Sequence, residues 1–560
     1  MAEIGRACRA PGGSIREALE GGRGFAAAIL LALASLFVFD HDAWTPDEPR
    51  VIELAHSIRT GSWDIPTLNG SPFLEQPPLY YWAVAAGYWA CGTSVGVARA
   101  VSSLFGLLTL AANYAFAARL GGRRVGVLAA LSLGLSSEFF WISHRIVVDS
   151  ALCCFVAAAA ATALRGLTEE SKRARASWLM LCYASASLAY LSKGVVGLGL
   201  SGCAFLAIVA ALRKPRLLLE SHLWAAPLIF LGLTGPYHLQ LYRDLGAAGL
   251  RTVVIDNTLG RAGGGMASHV QPWFYYLPLL IPCLLPSGVF FLGGVGRFLA
   301  GRRALSPAER FAFEVPLFWL VLGLIGLSFA ASKRELYLTP LLPAAATISG
   351  LWLDLLLAGR ATSRYARILP TALAALLASC AVAMPAAAAV FHLPDGVPVL
   401  GGIGGAVFAT VALGEVRRHD TSSAIATVTA GMVWILAAAV FAWVPWVDEQ
   451  KGFAPFFADA GPRVPSGAPV FVLLPDEVAN GVIPFYTGRL ATPLRDGADL
   501  ARAIERNGEA YVYVVDKDPN MSRYQQIAQR PHLQLSAEIR PDERSLRLLY
   551  FGRTRIEERG

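Results

Sequence analysis

Charge is scarce in this chain: only 16% of its 560 residues are charged, against 55% hydrophobic. That balance excludes a soluble globular protein, and it equally excludes a disordered one. Cysteine gives no framework either. Of the eight cysteines, Cys153, Cys154, Cys182, Cys203 and Cys380 lie inside apolar runs, and the last hundred residues have none. Neither a disulfide scaffold nor a paired zinc-ligand spacing follows from such a pattern. Internal repeats are missing, and so are low-complexity tracts beyond alanine-rich segments. Lys and Arg outnumber Asp and Glu to give a net charge of +8. The excess sits in short runs between apolar segments, which marks membrane topology rather than nucleic-acid binding.

What is abundant is apolar runs of about twenty residues, the length that crosses a bilayer as a helix. They recur from 24–40 to 424–446. Arg6, Arg9, Arg16 and Arg23 precede the first, and no small-residue cleavage site follows it. The reading is a retained helix with a cytoplasmic amino terminus. Basic connections at 119–124, 172–175, 213–216, 297–310, 360–367 and 417–418 all fall on the cytoplasmic side if the run 78–93 does not cross. That run opens with Pro77-Pro78 and carries Tyr80, Tyr81, Trp82, Tyr88 and Trp89, which suits an interfacial helix. The expectation is a mainly α, polytopic membrane protein with about thirteen transmembrane helices. Outer loops then cover 41–96 and 243–273, with interfacial helices in the first. After Trp446 the sequence turns polar and mixed. Strands are predicted over 469–474, 510–516, 533–540 and 546–553, and a helix over 498–506. The division is a membrane domain, 1–446, and a small α/β extracytoplasmic domain, 447–560.

Ionisable side chains at membrane depth are expensive to desolvate and tend to mark chemistry. Asp47 and Glu48 follow the first apolar run within Trp44-Thr45-Pro46-Asp47-Glu48-Pro49-Arg50, and Asp149 sits at the mouth of a later one. Arg243, Arg251, Arg261 and the pair Lys333-Arg334 lie on the side where few cations are expected, which points to an anion site. Plainer readings stand beside these. Asp47-Glu48 caps a helix; Asp149 pairs with Arg145; the cations anchor lipid headgroups. Glu75 and His269 are two scattered candidates for a divalent metal.

Several stretches, in order along the chain, resemble the protein O-mannosyltransferase-like membrane glycosyltransferases, whose fold is called C-type. They are Pro46-Asp47-Glu48-x-Arg50, Phe73-Leu74-Glu75-Gln76-Pro77-Pro78, Asp149, Leu191-Ser192-Lys193-Gly194, Asp256-Asn257 with Arg261, His269-x-x-Pro272-Trp273, and Ser332-Lys333-Arg334-x-x-Tyr337-Leu338. The span number and the outer α/β domain are most similar to bacterial lipid A aminoarabinose transferases. The resemblance implies transfer of a sugar from a polyprenyl-phosphate carrier to an envelope acceptor. The resemblance also implies a site facing the periplasm in a bacterial inner membrane, in a monomeric enzyme with no nucleic-acid partner.

The chemistry of that reaction agrees with the residues. A glycosyl phosphate has a good leaving group, so no general acid and no cofactor is required. Cations must hold the departing phosphate, and a carboxylate must take a proton from an acceptor hydroxyl. Asp47 is the choice for that base, with Glu48 as the competing assignment and Asp149 as a further catalytic acid. Arg261, Lys333 and Arg334 form the phosphate clamp, with Tyr337, Gln76 and Lys193 grouped at the same phosphate. If the acceptor is itself a phosphate, as in lipid A, Asp47 orients rather than deprotonates. The aminoarabinose-type relatives usually carry Glu-Lys-Pro where this chain has Glu75-Gln76-Pro77. A neutral amide gives about half the hydrogen-bond strength of a charged donor. Other readings are the same chemistry on a protein or another glycolipid, a transporter of lipid-linked sugar, and a sensor with an outer ligand-binding domain. Against the transporter, the charged groups cluster at one face and no halves repeat.

Overall fold

The structure is a computed structural model that describes residues 41–61, 63–257, 270–301, 305–361, 363–393, 396–516, 533–539 and 545–552. The expected helix at 24–40, and with it Arg261 and His269, lies outside the described residues. Eight described helices are long and apolar enough to cross a membrane, and two bent pairs raise the number to ten if each is one span. The pairs are Arg123–Gly134 with Ser137–His144, bent by 70°, and Tyr276–Leu284 with Gly288–Gly301, bent by 119°. Pro286, which lacks a backbone N–H, falls in the second break. The runs 177–192 and 223–242 are also helical, as Lys172–Lys193 and Ala225–Arg251. Neither is among those ten. The aromatic run at 78–93 forms a helix of 13 residues, Leu79–Cys91. At 1.5 Å per residue that reaches about 20 Å, short of a bilayer core of ~30 Å.

The chain divides into two compact units. Of the described residues, 74–80 and 100–442 form the first, and 41–73, 81–99 and 443–552 the second. The first outer loop is thus grouped largely with the C-terminal part.

The first unit is a helical bundle whose close approaches run through small residues, as lipid-embedded helices require. Helix Leu342–Leu357 lies along Arg123–Gly134, where a Cβ on Gly350 would sit 2.6 Å from the Ala129 backbone nitrogen. Gly293 is as tight against Trp352, with 2.5 Å to the indole. Buried polar side chains add specificity: Thr347 donates to Asn113 Oδ1 at 3.1 Å, and Asn113 donates to the Ala129 carbonyl at 3.3 Å. Glu314 is wholly buried and binds both Arg213 and Arg310, so part of the basic connections is neutralised locally.

The second unit contains a short hairpin, β1 (Thr67–Leu68) and β2 (Ser71–Pro72), and a five-stranded sheet. Asn69 and Gly70 turn the hairpin with φ of 49° and 79°, the left-handed pair that a two-residue hairpin favours. The sheet comprises β3 (Val470–Leu473), β4 (Thr492–Leu494), β5 (Glu509–Asp516), β6 (Leu533–Ile539) and β7 (Ser545–Gly552), in the order β4-β3-β5-β7-β6. β3 runs parallel to β4 and β5, while β7 runs antiparallel to β5 and β6. Strand alternation sends Val470, Val472, Tyr511 and Tyr513 to one face, with Phe456, Phe457 and Val482. Phe471, Leu473, Val512 and Val514 go to the other, with Leu500. Helix Glu477–Thr487 starts on an Asp476 cap to Ala479 N at 2.9 Å and stops at Gly488, φ 66°. The four predicted strands and the helix at 498–506 are present. β4 and helix Glu477–Thr487 were not predicted.

Candidate active site

In the second unit, the acidic run opens helix Glu48–Thr60, with Pro49 in its first turn, where a missing N–H goes unnoticed. Asp47 occupies the N-cap position, yet its side chain makes no capping hydrogen bond. Instead its carboxylate meets Arg50 at 3.3 Å, and Arg50 also binds Glu477. The Asp47 side chain is 13% exposed. Glu48, one residue on, is fully buried. Its Oε2 accepts from Trp44 N at 2.8 Å and from Arg99 at 2.9 Å. The helix-capping reading therefore does not describe Asp47, and the two adjacent acids have separate environments.

The residues ahead of Asp47 are tied down by a second set of bonds. Asp42 accepts from the backbone of Ala43 at 2.7 Å, from the backbone of Phe453 and Ala454, and from the Tyr486 hydroxyl. Asp448 accepts from Asp42 N at 2.8 Å and from the Trp44 indole at 3.0 Å. Burial and the Asp42 charge push the Tyr486 hydroxyl far above its ordinary value, so it is a permanent donor here. On the inner face of helix Glu48–Thr60, Glu53 is 2% exposed with an unsatisfied Oε2. Burial alone holds its carboxyl at about 9.

In the first unit, Asp149 is the first residue of helix Asp149–Leu167, and Lys193 is the last of Lys172–Lys193. These helices pack along each other, which brings the two side chains together at 2.5 Å, both at least nine-tenths buried. The Lys193 ammonium also lies 4.2 Å from the centre of the Tyr337 ring, a cation–π contact. Asp149 pairs with Lys193, 44 residues away, and Arg145 stacks on Trp141. Lys333 is 4% exposed and turns its ammonium onto the carbonyls of Gln271, at 3.0 Å, and Ala330. Arg334, beside it, is half-buried and extended, with φ −133° and ψ 153°. The charges of Glu335, Arg145, Asp149 and Arg334 all reach Glu138.

Gln76 is half-buried and Glu75 exposed. Their segment is met by Asn257, which donates to the Leu74 carbonyl at 2.6 Å; this joins two of the sequence motifs. Among the described residues no three His, Cys, Asp or Glu side chains come together to hold a metal ion. Arg99, Glu138 and Glu335 were missed. Arg99 and Glu138 each stand inside an apolar run, and the rule that singled out Asp149 would have found both.

Helices long and apolar enough to cross a membrane, together with a mixed α/β unit and buried charge clusters, define a multi-pass membrane protein. Residues 75–238 match the family described as dolichyl-phosphate-mannose-protein mannosyltransferase. The particular likeness is to aminoarabinose transferases. The chain is 29% identical over 306 residues to undecaprenyl phosphate-alpha-4-amino-4-deoxy-L-arabinose arabinosyl transferase 1 of Sodalis glossinidius, covering 53% of this chain and 52% of that one. It is 26% identical over 307 residues to the Edwardsiella ictaluri transferase of the same activity, covering 53% of each. The chain therefore spans about half the length of the curated relatives it matches. Among solved structures it resembles ArnT from Cupriavidus metallidurans bound to undecaprenyl phosphate. The TM-score is 0.73 at 22% identity, over 94% of this chain and 97% of that one.

Proposed function

We propose that this protein moves 4-amino-4-deoxy-L-arabinose from undecaprenyl phosphate to a phosphate of lipid A. It would act at the periplasmic face of a bacterial inner membrane, with thirteen spans and the C-terminal α/β domain outside. What supports this reading most is the joint likeness to named aminoarabinose transferases in sequence and to ArnT in fold. The reaction is a single displacement. An acceptor oxygen attacks the anomeric carbon as the bond from that carbon to the carrier phosphate breaks. The phosphate leaves with the electron pair, and the anomeric centre inverts.

Asp47, rather than Glu48, is the acid assigned to the acceptor. Its carboxylate is partly accessible, whereas the Glu48 oxygen that is bonded faces Trp44 and Arg99 inside the protein. With a hydroxyl acceptor Asp47 takes the proton; with a phosphate acceptor it orients the nucleophile. Arg334 and Arg261 are assigned to the departing phosphate. Lys333 holds backbone carbonyls instead, so its part is to set the place of Arg334. Asp149 directs Lys193, and Tyr337 covers it. No metal is assigned a role. Gln76, which supplies no charge where relatives have Lys, favours a second reading in which the acceptor is another envelope glycolipid.

The test is mass spectrometry of lipid A from cells with the gene, without it, and with Asp47→Asn at matched protein level. A pentosamine adduct present only with the intact gene is the expected result. The substitution is expected to cut transfer by about 10²–10⁴ if Asp47 acts as base. Unchanged lipid A in all three strains would overturn the acceptor, and full transfer by Asp47→Asn would overturn the base.

A further inference from the structure

We infer that Arg99 is a positioning residue for Asp47, fixing the carboxylate in place by clamping the irregular segment that carries it; this rests on the role assigned to Asp47. Residues 41–47 form no helix or strand, and ordering such a segment costs about 1–2 kcal/mol per residue in backbone entropy. Something must hold it. Arg99 donates from Nη1 to the His41 carbonyl at 3.3 Å, and from Nη2 to the Asp42 carbonyl at 3.1 Å and to Glu48 Oε2 at 2.9 Å. The same Glu48 oxygen accepts from Trp44 N at 2.8 Å. One guanidinium therefore grips the segment at its start and just past its end, with Asp47 between. Arg99 and Glu48 are both fully buried, so water does not compete for these bonds.

The Asp47 carboxylate meets Arg50 at 3.3 Å, and the backbone that carries it is set by the grip of Arg99 on either side. The arrangement also explains why adjacent acids have different duties. Glu48 closes the clamp, and Asp47 is the group presented. A guanidinium suits the task through its fork of donors, which reaches two carbonyls and a carboxylate at once; an ammonium is a point charge and reaches fewer.

Arg99→Lys keeps the charge against Glu48 and loses the fork. The full-length protein in detergent would be assayed with undecaprenyl-phosphate-linked aminoarabinose and lipid A. A carboxylate displaced by ~1 Å is expected to cost about 10²-fold in kcat, with KM for the donor unchanged. In an Asp47→Asn background the same substitution is expected to leave the residual rate unchanged, since Arg99 acts through that carboxylate. An equal loss in both backgrounds, or none in the first, would overturn the assignment. Hydrogen exchange supplies a readout independent of activity. Peptides covering 41–48 are expected to exchange faster in Arg99→Lys, while β3 and β5 keep their protection. Unchanged exchange at 41–48 would equally overturn it. If Arg99→Lys does not accumulate, the neutral pair Arg99→Gln with Glu48→Gln is read the same way, with no charge left buried. Full transfer by Asp47→Asn alone would instead reject the role of Asp47, and would be recognised as such before Arg99 is changed.

Discussion

Glu53→Gln is expected to stabilise the second unit at neutral and alkaline pH. The carboxyl is 2% exposed and its Oε2 has no hydrogen-bond partner, so ionising it in place means desolvating a bare charge. Burial raises it from 4.5 to about 9. A folded-state value above the unfolded one means that the folded chain holds one more proton between those limits. Stability from this group is therefore complete below pH 4.5 and falls as pH rises, until the folded carboxyl itself ionises near 9. Each pH unit is worth about 1.4 kcal/mol. The loss at pH 7 is then about 3 kcal/mol, and near pH 9 about 6 kcal/mol, by the same linkage. Gln has nearly the same shape and carries no titrating proton, so it removes the slope. The assay is hydrogen exchange of peptides covering 48–60, from pH 6 to 9, corrected for the intrinsic rate. The wild type is expected to lose opening free energy at about 1.4 kcal/mol per pH unit, and the variant to stay level. Equal slopes, or a variant less stable throughout, would refute the reasoning and show that the carboxylate is charged and paired in solution.

Lys193→Met removes the ammonium 2.5 Å from the buried Asp149 carboxylate and is expected to destabilise by about 3–5 kcal/mol, read as a loss of thermal stability in detergent. Adding Asp149→Leu is expected to restore folding but not transfer; a double variant that transfers normally would make the pair structural only. Gln76→Lys introduces a charge where the related transferases carry one. A charged hydrogen bond is about twice as strong as a neutral one, so donor KM is expected to fall if Gln76 reaches the carrier phosphate. Unchanged KM would remove Gln76 from the donor site.

The helices were legible because period and length survive in the sequence. Each apolar run of sufficient length that falls in the described region is helical, and the run too short and aromatic to cross gives a helix of 13 residues. The outer sheet was legible wherever a β-branched and aromatic run reached four residues or more, as in Val470–Leu473 and Glu509–Asp516. β4 has three residues, one of them Pro493, and neither pattern nor propensity can register so little. Breaks within spans were hidden for another reason. Mean hydropathy passes smoothly over Leu135-Ser136 and over Leu285–Ser287, while the backbone turns by 70° and 119° there.

At the site, the sequence tells which residues carry charge but not how each charge is satisfied. Lys333 read as a member of the phosphate clamp, and Lys193 as a further, weaker ligand of the same phosphate. The structure gives Lys193 a carboxylate at 2.5 Å and an aromatic face at 4.2 Å. It gives Lys333 two backbone carbonyls. The carboxylate is 44 residues from Lys193 and the Gln271 carbonyl 62 from Lys333, distances in sequence that only tertiary packing closes. The same holds for Glu48, whose partner Arg99 is 51 residues on and inside a membrane-length run. An arginine at that depth must be paired or face a polar cavity, so its existence was legible and its partner was not. Adjacent acids such as Asp47 and Glu48 are therefore best separated by asking which buried cation each can reach. By that criterion Glu48, held by Arg99, belongs to the scaffold, which leaves Asp47 as the acid proposed to meet the substrate.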